Sequence, residues 1–176
     1  DLHGYTRLQI LSFDRLAEFI LSECQTSIKS ILSEEGRVMV LRSLLNQIKE
    51  RLRIFHASTK LPGLAQELSR VIREFQQSRV SPQKILDLSS SDKLPARARH
   101  KLHDIGILFQ EYQSWIQLKK LHDPDHLLDL AADALRSSRE LNTNIPMFQL
   151  GGLWMDGFAS LTPQELNLLT LLAPSS

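Results

Sequence analysis

The residues of this 176-residue chain whose types and spacing could do chemistry fall into three groups. The first is Asp156, which closes the short apolar run Leu153-Trp154-Met155 and is followed by Gly157 and Phe158. An acid at the carboxyl end of a buried strand is where nucleotide-binding sheets place the group that coordinates magnesium, usually through water. The other reading is conformational: Asp156 caps the following turn and Gly157 supplies an unusual backbone angle. The second group is His122-Asp123-Pro124-Asp125-His126. Its imidazoles stand four apart, the spacing that brings two metal ligands to one helix face. Pro124, however, marks a helix start, so His122 precedes the helix and Asp123 serves as its cap. The third is Arg97, Arg99, His100, Lys101 and His103. This basic cluster opens a helix, where the dipole disfavours cations. It is either a solvated surface or a contact for DNA or a partner, whose phosphates or acids would offset that cost.

Other candidates lead back to packing. Phe109, Tyr112 and Trp115 share a stripe with Ile105 and Ile116, so they read as core rather than as a base-stacking platform. The lone cysteine, Cys24, has no neighbouring histidine to activate it and reads as a small buried hydrophobe. No nucleophile elbow, paired-carboxylate site or cysteine-rich metal motif occurs, and no Gly-x-x-x-x-Gly-Lys-Ser/Thr phosphate loop. No catalytic residue and no metal ligand is therefore assigned within this chain.

The elements that must position these residues follow from periodicity. Residues 7–11 alternate apolar and polar, a strand pattern, and Ser12 can cap a helix carrying Leu16, Phe19 and Ile20. Val38, Leu41, Leu45, Ile48, Leu52 and Phe55 predict one long amphipathic helix. Further helices are expected after Pro62, from Ser81-Pro82, through Leu102–Ile116 after the linker-like 89–92, and from Asp123-Pro124. Residues 142–146 read as loop, 153–157 as a second strand, and Thr162-Pro163-Gln164-Glu165 as the opening of a last helix. The expected fold is mainly α: a multi-helix bundle inserted between two short parallel strands, an incomplete α/β domain. Its parts are a strand plus helix at 7–24, a helical insertion at 33–139, and a strand plus helix at 150–173.

Composition bounds the function without naming it. Hydrophobic residues at 42%, charged residues at 23% and a formal net charge of +1 are those of an ordinary globular chain. One cysteine fits a reducing compartment, and no apolar run approaches the roughly 18 residues of a membrane span, so a cytoplasmic protein is expected. A start at Asp1 and an end in Pro174-Ser175-Ser176 lead to the expectation of a piece of a longer protein.

The order of these pieces resembles a known family. Leu8-Gln9-Ile10-Leu11-Ser12-Phe13-Asp14-Arg15-Leu16, Leu41-Arg42, Pro62-Gly63, Lys101-Leu102-His103-Asp104-Ile105 and Asp123-Pro124-Asp125-His126-Leu127-Leu128 carry the likeness. It is strongest in Met155-Asp156-Gly157-Phe158 with Leu161-Thr162-Pro163-Gln164-Glu165. Along nearly its whole length the chain resembles the helicase-like amino-terminal region of the AddB (RexB) subunit of bacterial ATP-dependent helicase–nucleases, itself similar to helicases of the UvrD and PcrA type. The resemblance implies a DNA-engaging, non-hydrolysing scaffold in double-strand break repair, partnered by DNA and by a motor subunit of AddA type. It makes the helical insertion a 1B-like subdomain and puts Asp156, Gly157 and Phe158 at a degenerate motif II. ATP with magnesium and an iron–sulfur cluster would belong to other parts of the parent. Two rivals stand beside it: a stand-alone helical interaction module that never touches nucleic acid, and an active nucleotide hydrolase with its phosphate loop upstream.

Overall fold

A computed structural model describes residues 8–26, 30–140 and 152–173. The described residues form α1 (Phe13–Glu23), α2 (Glu34–Gln47), α3 (Leu64–Gln77), α4 (Pro82–Ser89), α5 (Ala96–Lys119), α6 (Leu127–Glu140) and α7 (Pro163–Leu172). Short 3-10 turns lie at Lys49–Arg51, Phe55–Ser58 and Pro124–His126. The expected loop at 142–146 lies outside the described residues. No described helix is long and apolar enough to cross a membrane.

Local chemistry sets most boundaries. Ser12, Ser33 and Ser81 accept from the backbone N–H of Arg15, Gly36 and Lys84, satisfying donors that a helix start leaves without a carbonyl. Pro82 follows its cap directly, where a missing N–H costs nothing. α3 starts at Leu64, two residues past the Pro62 expected in its first turn. Gly63 occupies its cap position at φ +87°, a left-handed angle that glycine adopts without strain. α5 ends at Lys119 and is capped by Lys120, also left-handed at φ 54°.

The residues divide into two compact units. One contains α1, α6 and residues 165–172 of α7; the other contains 30–126 together with Thr162–Gln164. In the first, α1 packs on α6, burying Ala17, Ile20 and Leu21 from one and Ala131, Ala132 and Leu135 from the other. In the second, α2 packs on α3 and α5, and α4 packs along α5. Its core joins Leu41, Leu45, Leu68, Ile72, Ile85, Ile105, Leu108, Phe109 and Tyr112. Phe109 and Tyr112 are buried as their stripe predicts, while Trp115 packs half-buried against the core. Cys24 is only half-buried, and burial followed by the charge of Glu23 pushes its thiol pKa up.

Two expectations are corrected. The chain is mainly helical, but the described part of 7–11 and all of 153–157 form no strand, so the bundle is not seen inserted between two paired strands. A strand is held by a ladder of backbone bonds to a neighbour, and these segments have none. Their apolar side chains stay in solvent, Ile10 at 88% and Trp154 at 82% exposure. The only sheet-like pairing among the described residues is one isolated parallel bridge between Ile31 and His122. The long helix expected through Phe55 also stops at Gln47. The backbone N–H groups of Arg53, Ile54 and Phe55 turn away to the carboxylate of Asp104 on α5, at 2.8, 2.7 and 3.0 Å.

Gly106 explains how α4 lies so close to α5. A Cβ there would stand 2.8 and 2.9 Å from the Leu86 side chain, closer than carbon atoms approach. Gly106→Val is expected to lower unfolding free energy by about 1–3 kcal/mol through overpacking. Chemical denaturation measures it, and an unchanged midpoint would show that α4 can shift freely.

Candidate functional site

The expected site residues belong to two different units, Asp156, Gly157 and Phe158 to the first and the basic residues to the second. Asp156, Gly157 and Phe158 lie in an exposed, non-helical stretch. Gly157 has φ +81°, so the left-handed angle expected for it is present, and nothing stands within 4 Å of where a Cβ would be. The requirement there is backbone conformation rather than space. Phe158 meets Phe13 at the start of α1 edge-on, with ring centroids 5.2 Å apart and planes at 66°. Such a pair adds about 0.5–1.5 kcal/mol beyond its buried area. Upstream, the Trp154 ring comes so close to Gly152 that an added Cβ would lie 2.5 Å from it. Asp156 itself points no second acid at a common centre: no group of three His, Cys, Asp or Glu able to hold a metal gathers among the described residues. The donor set among the described residues does not build a magnesium site.

The basic cluster lies on α5. Arg97 and Lys101 are exposed and a turn apart. Arg99 is instead turned to Asp92, its guanidinium 2.9 Å from the carboxylate. His103 Nδ1 donates to Asp104 at 3.3 Å. The five basic residues therefore do not act alike: Arg97, His100 and Lys101 face solvent, and the other two are engaged within the fold.

The most heavily built polar arrangement includes neither group. Arg37 of α2 is fully buried, and its guanidinium donates to Asp125, to Asp123 at 3.3 Å and to Gln76 at 3.4 Å. Asp123 also receives the Tyr112 hydroxyl at 2.5 Å and the backbone N–H of Asp125 at 2.9 Å. Arg73 of α3 bonds Asp125 at 3.3 Å and Glu34 at 2.8 Å. The loop that carries these acids is fixed at its start, where His122 N–H donates to the Ser30 carbonyl and Leu32 N–H to the His122 carbonyl, both at 2.9 Å. The His122–His126 segment is thus an anchoring loop in which Asp123 caps the following turn, as its sequence suggests, and closes a charge network besides. Burial, then the neighbouring Asp123 charge, pushes the Tyr112 phenol well above its usual range, with Arg37 pulling the other way. Burial works against the Arg73 charge, but Asp125 and Glu34 outweigh it and the net shift is upward.

Sequence carries a signal for these residues. Arg37 stands one turn before Leu41 on the stripe of Leu44, Leu45 and Ile48, and Asp104 stands one turn before Leu108. A charge at a core position of an amphipathic helix must find a partner, since it is too costly to bury alone.

Comparison with known proteins adds the relationship to this geometry. The family described as "ADDB, N-terminal" matches residues 1–176, and the chain belongs to it. Among curated proteins named as the B subunits of ATP-dependent helicase/deoxyribonucleases, that of Desulforamulus reducens is 32% identical over 171 residues, covering 96% of this chain. Those of Natranaerobius thermophilus and Listeria welshimeri are 31% and 34% identical, covering 96% and 98% of it. The chain spans about 14% of the length of each of these relatives.

The buried groups can be tested one at a time. Asp104→Ala leaves three inward-facing N–H groups without an acceptor and is expected to cost about 2–4 kcal/mol, with faster proteolytic cleavage in 53–58. Unaltered cleavage and stability would show that those donors find other partners. Tyr112, whose phenol is raised above its ordinary value of 10.0, gives a definite sign. The folded state keeps the proton that the unfolded chain releases, so this contribution is whole below about pH 10 and falls above it, by about 1.4 kcal/mol per pH unit. Unfolding measured between pH 9 and 11 should decline more steeply for the parent than for Tyr112→Phe; equal slopes would contradict the assignment.

Proposed function

We propose that this chain is a helicase-like, non-hydrolysing segment of the AddB-type subunit of an ATP-dependent helicase–nuclease. In that reading it helps shape a path for DNA in double-strand break repair and works in the cytoplasm beside a motor subunit of AddA type. The observation that carries the reading is the match itself. Relatives named as helicase/deoxyribonuclease subunits align over 94–98% of the chain, in the one order of elements that the sequence presents. The segment is not an enzyme alone. ATP with magnesium and an iron–sulfur cluster belong, on this reading, to other parts of the assembly.

Two features support the non-hydrolysing part. The residue after Asp156 is Gly157, which has no side chain to polarise an attacking water. Asp156 is exposed, and no cluster of ligating side chains accompanies it among the described residues. Its role is to precede a turn. The apolar segments 8–11 and 153–156 fit the same picture: their strand-like composition and exposed side chains suit pairing with strands elsewhere in the whole protein. The 33–139 stretch then serves as the helical, 1B-like subdomain.

The test uses the intact helicase–nuclease. Asp156→Ala is expected to leave DNA-stimulated ATP hydrolysis within about twofold of the parent, because the hydrolytic site lies elsewhere; a loss of the size that removing an essential catalytic group causes, about a hundredfold or more, would make this chain an active hydrolase instead. Gly157→Val, which strains the left-handed turn, is expected to lower stability by about 1–3 kcal/mol.

A further inference from the structure

The basic residues of α5 do not stand alone, and this changes what the surface can bind. Asp104 holds the backbone of residues 53–55 against α5. One turn beyond it toward the helix start stand His100 and Lys101, and two turns beyond it stands Arg97. On the other side Arg51 reaches Glu111, two turns past Asp104, at 2.5 Å. The segment 51–55 therefore runs along α5 toward the helix start. Behind it, His56 Nδ1 donates to the Lys49 carbonyl at 3.0 Å, which keeps Lys49 beside the same turn.

Two chain segments about 40 residues apart thus lie together, one carrying Lys49, Arg53 and His56 and the other Arg97, His100 and Lys101. The acids in the neighbourhood each have a contact, although Asp92 and Glu50 stay largely exposed. Asp104 is fully buried under the 53–55 backbone, Glu111 holds Arg51, Asp92 holds Arg99, and Glu50 is the neighbour of His56 at 3.9 Å. Lys49, Arg53, Arg97 and Lys101 have no acidic partner among the described residues. The start of α5 has no side-chain cap and no acid in its first turn, so it adds partial positive charge rather than neutralising any.

Excess cations on a backbone fixed by three hydrogen bonds suit a polyanion with evenly repeated charge. We propose that Arg53, Arg97 and Lys101 contact the phosphodiester backbone of DNA, without reading base sequence. This rests on the functional reading above and assigns that reading a surface. Most protein–DNA hydrogen bonds from arginine and lysine go to phosphate oxygens, and such contacts carry no base sequence. Arg99, tied to Asp92, is not part of the surface.

The experiment uses the intact enzyme with its natural partner subunits and a fluorescent DNA of mixed sequence, duplex in one arm and single-stranded in the other. Affinity is measured against salt for the parent, for Arg53→Ala with Lys101→Ala, and for Lys119→Ala with Lys120→Ala. The last pair removes the same charge about 27 Å along α5 from Lys101. The Arg53 and Lys101 pair is expected to weaken binding about tenfold and to lower the slope of log affinity against log salt by about 1.8 on duplex, or about 1.4 on a single strand. The control pair should change neither, and Arg53→Lys should retain the parental slope. Equal behaviour of the two pairs would overturn the proposal. So would an unchanged slope with loss of a partner subunit on gel filtration, which would make the surface a protein contact. A parent enzyme with no salt-dependent DNA affinity would instead remove the functional reading beneath it.

Discussion

The second unit is organised around the need to neutralise one buried guanidinium. Arg37 has no solvent access, and a charge taken out of water costs several kcal/mol unless paired and hydrogen-bonded. Its partners come from two places far apart in sequence: Gln76 at the end of α3, and Asp123 and Asp125 on the loop after α5. Each of these acids is constrained in turn. Tyr112 holds Asp123 from α5, and Arg73 holds Asp125 from α3. These contacts tie α2, α3, α5 and the loop to one another through a single guanidinium nitrogen, Arg37 Nη1. An apolar core of the same volume would contribute as much stability. What the ionic arrangement supplies is register, because leucines tolerate sliding and a pair of acids around one arginine does not.

Asp104 applies the same rule to a loop. A buried carboxylate needs donors, and three consecutive backbone N–H groups provide them. Those groups then cannot serve a helix, so the apolar stripe does not continue as one through Phe55; α2 has already ended at Gln47, and a 3-10 turn follows it at Lys49–Arg51. The break has a further consequence. It lays a cation-rich segment against α5, so that a demand of the interior decides which charges meet on the surface.

Legibility in the sequence followed the range of the interactions. The caps Ser12 and Ser81, the proline at the start of α4, the stripe of Phe109 and Tyr112, and the left-handed Gly157 are local, and residue type and spacing reveal them. The non-helical path of residues 53–55 was not legible, since the carboxylate that holds it lies about 50 residues away on another helix. The pairing of α1 with α6 was equally hidden, because an apolar face states that it needs a partner and not which one. Arg37 and Asp104 carry a local signal, a charge at a core position of an amphipathic helix, which states the need for partners and not which ones. The strand pattern at 8–11 and 153–157 misled for a related reason. Alternation reports a suitable sequence, whereas a strand also requires a neighbour to complete its hydrogen bonds.

That distinction sharpens the meaning of Asp156. Chemistry at a strand end needs a rigid ladder behind the acid and convergent groups in front of it. Here the acid follows an exposed apolar stretch, and the residue after it is a glycine at φ +81°. The contact that remains is Phe158 against Phe13, an edge-to-face pair that returns the chain to the beginning of α1. Such a turn needs Gly157 for its angle and Phe158 for its anchor, and it makes no demand on the carboxylate. The Asp-Gly-Phe sequence is therefore accounted for by conformation and packing, with two of its three residues carrying the structural role. The acid is the one whose replacement the fold would least resist.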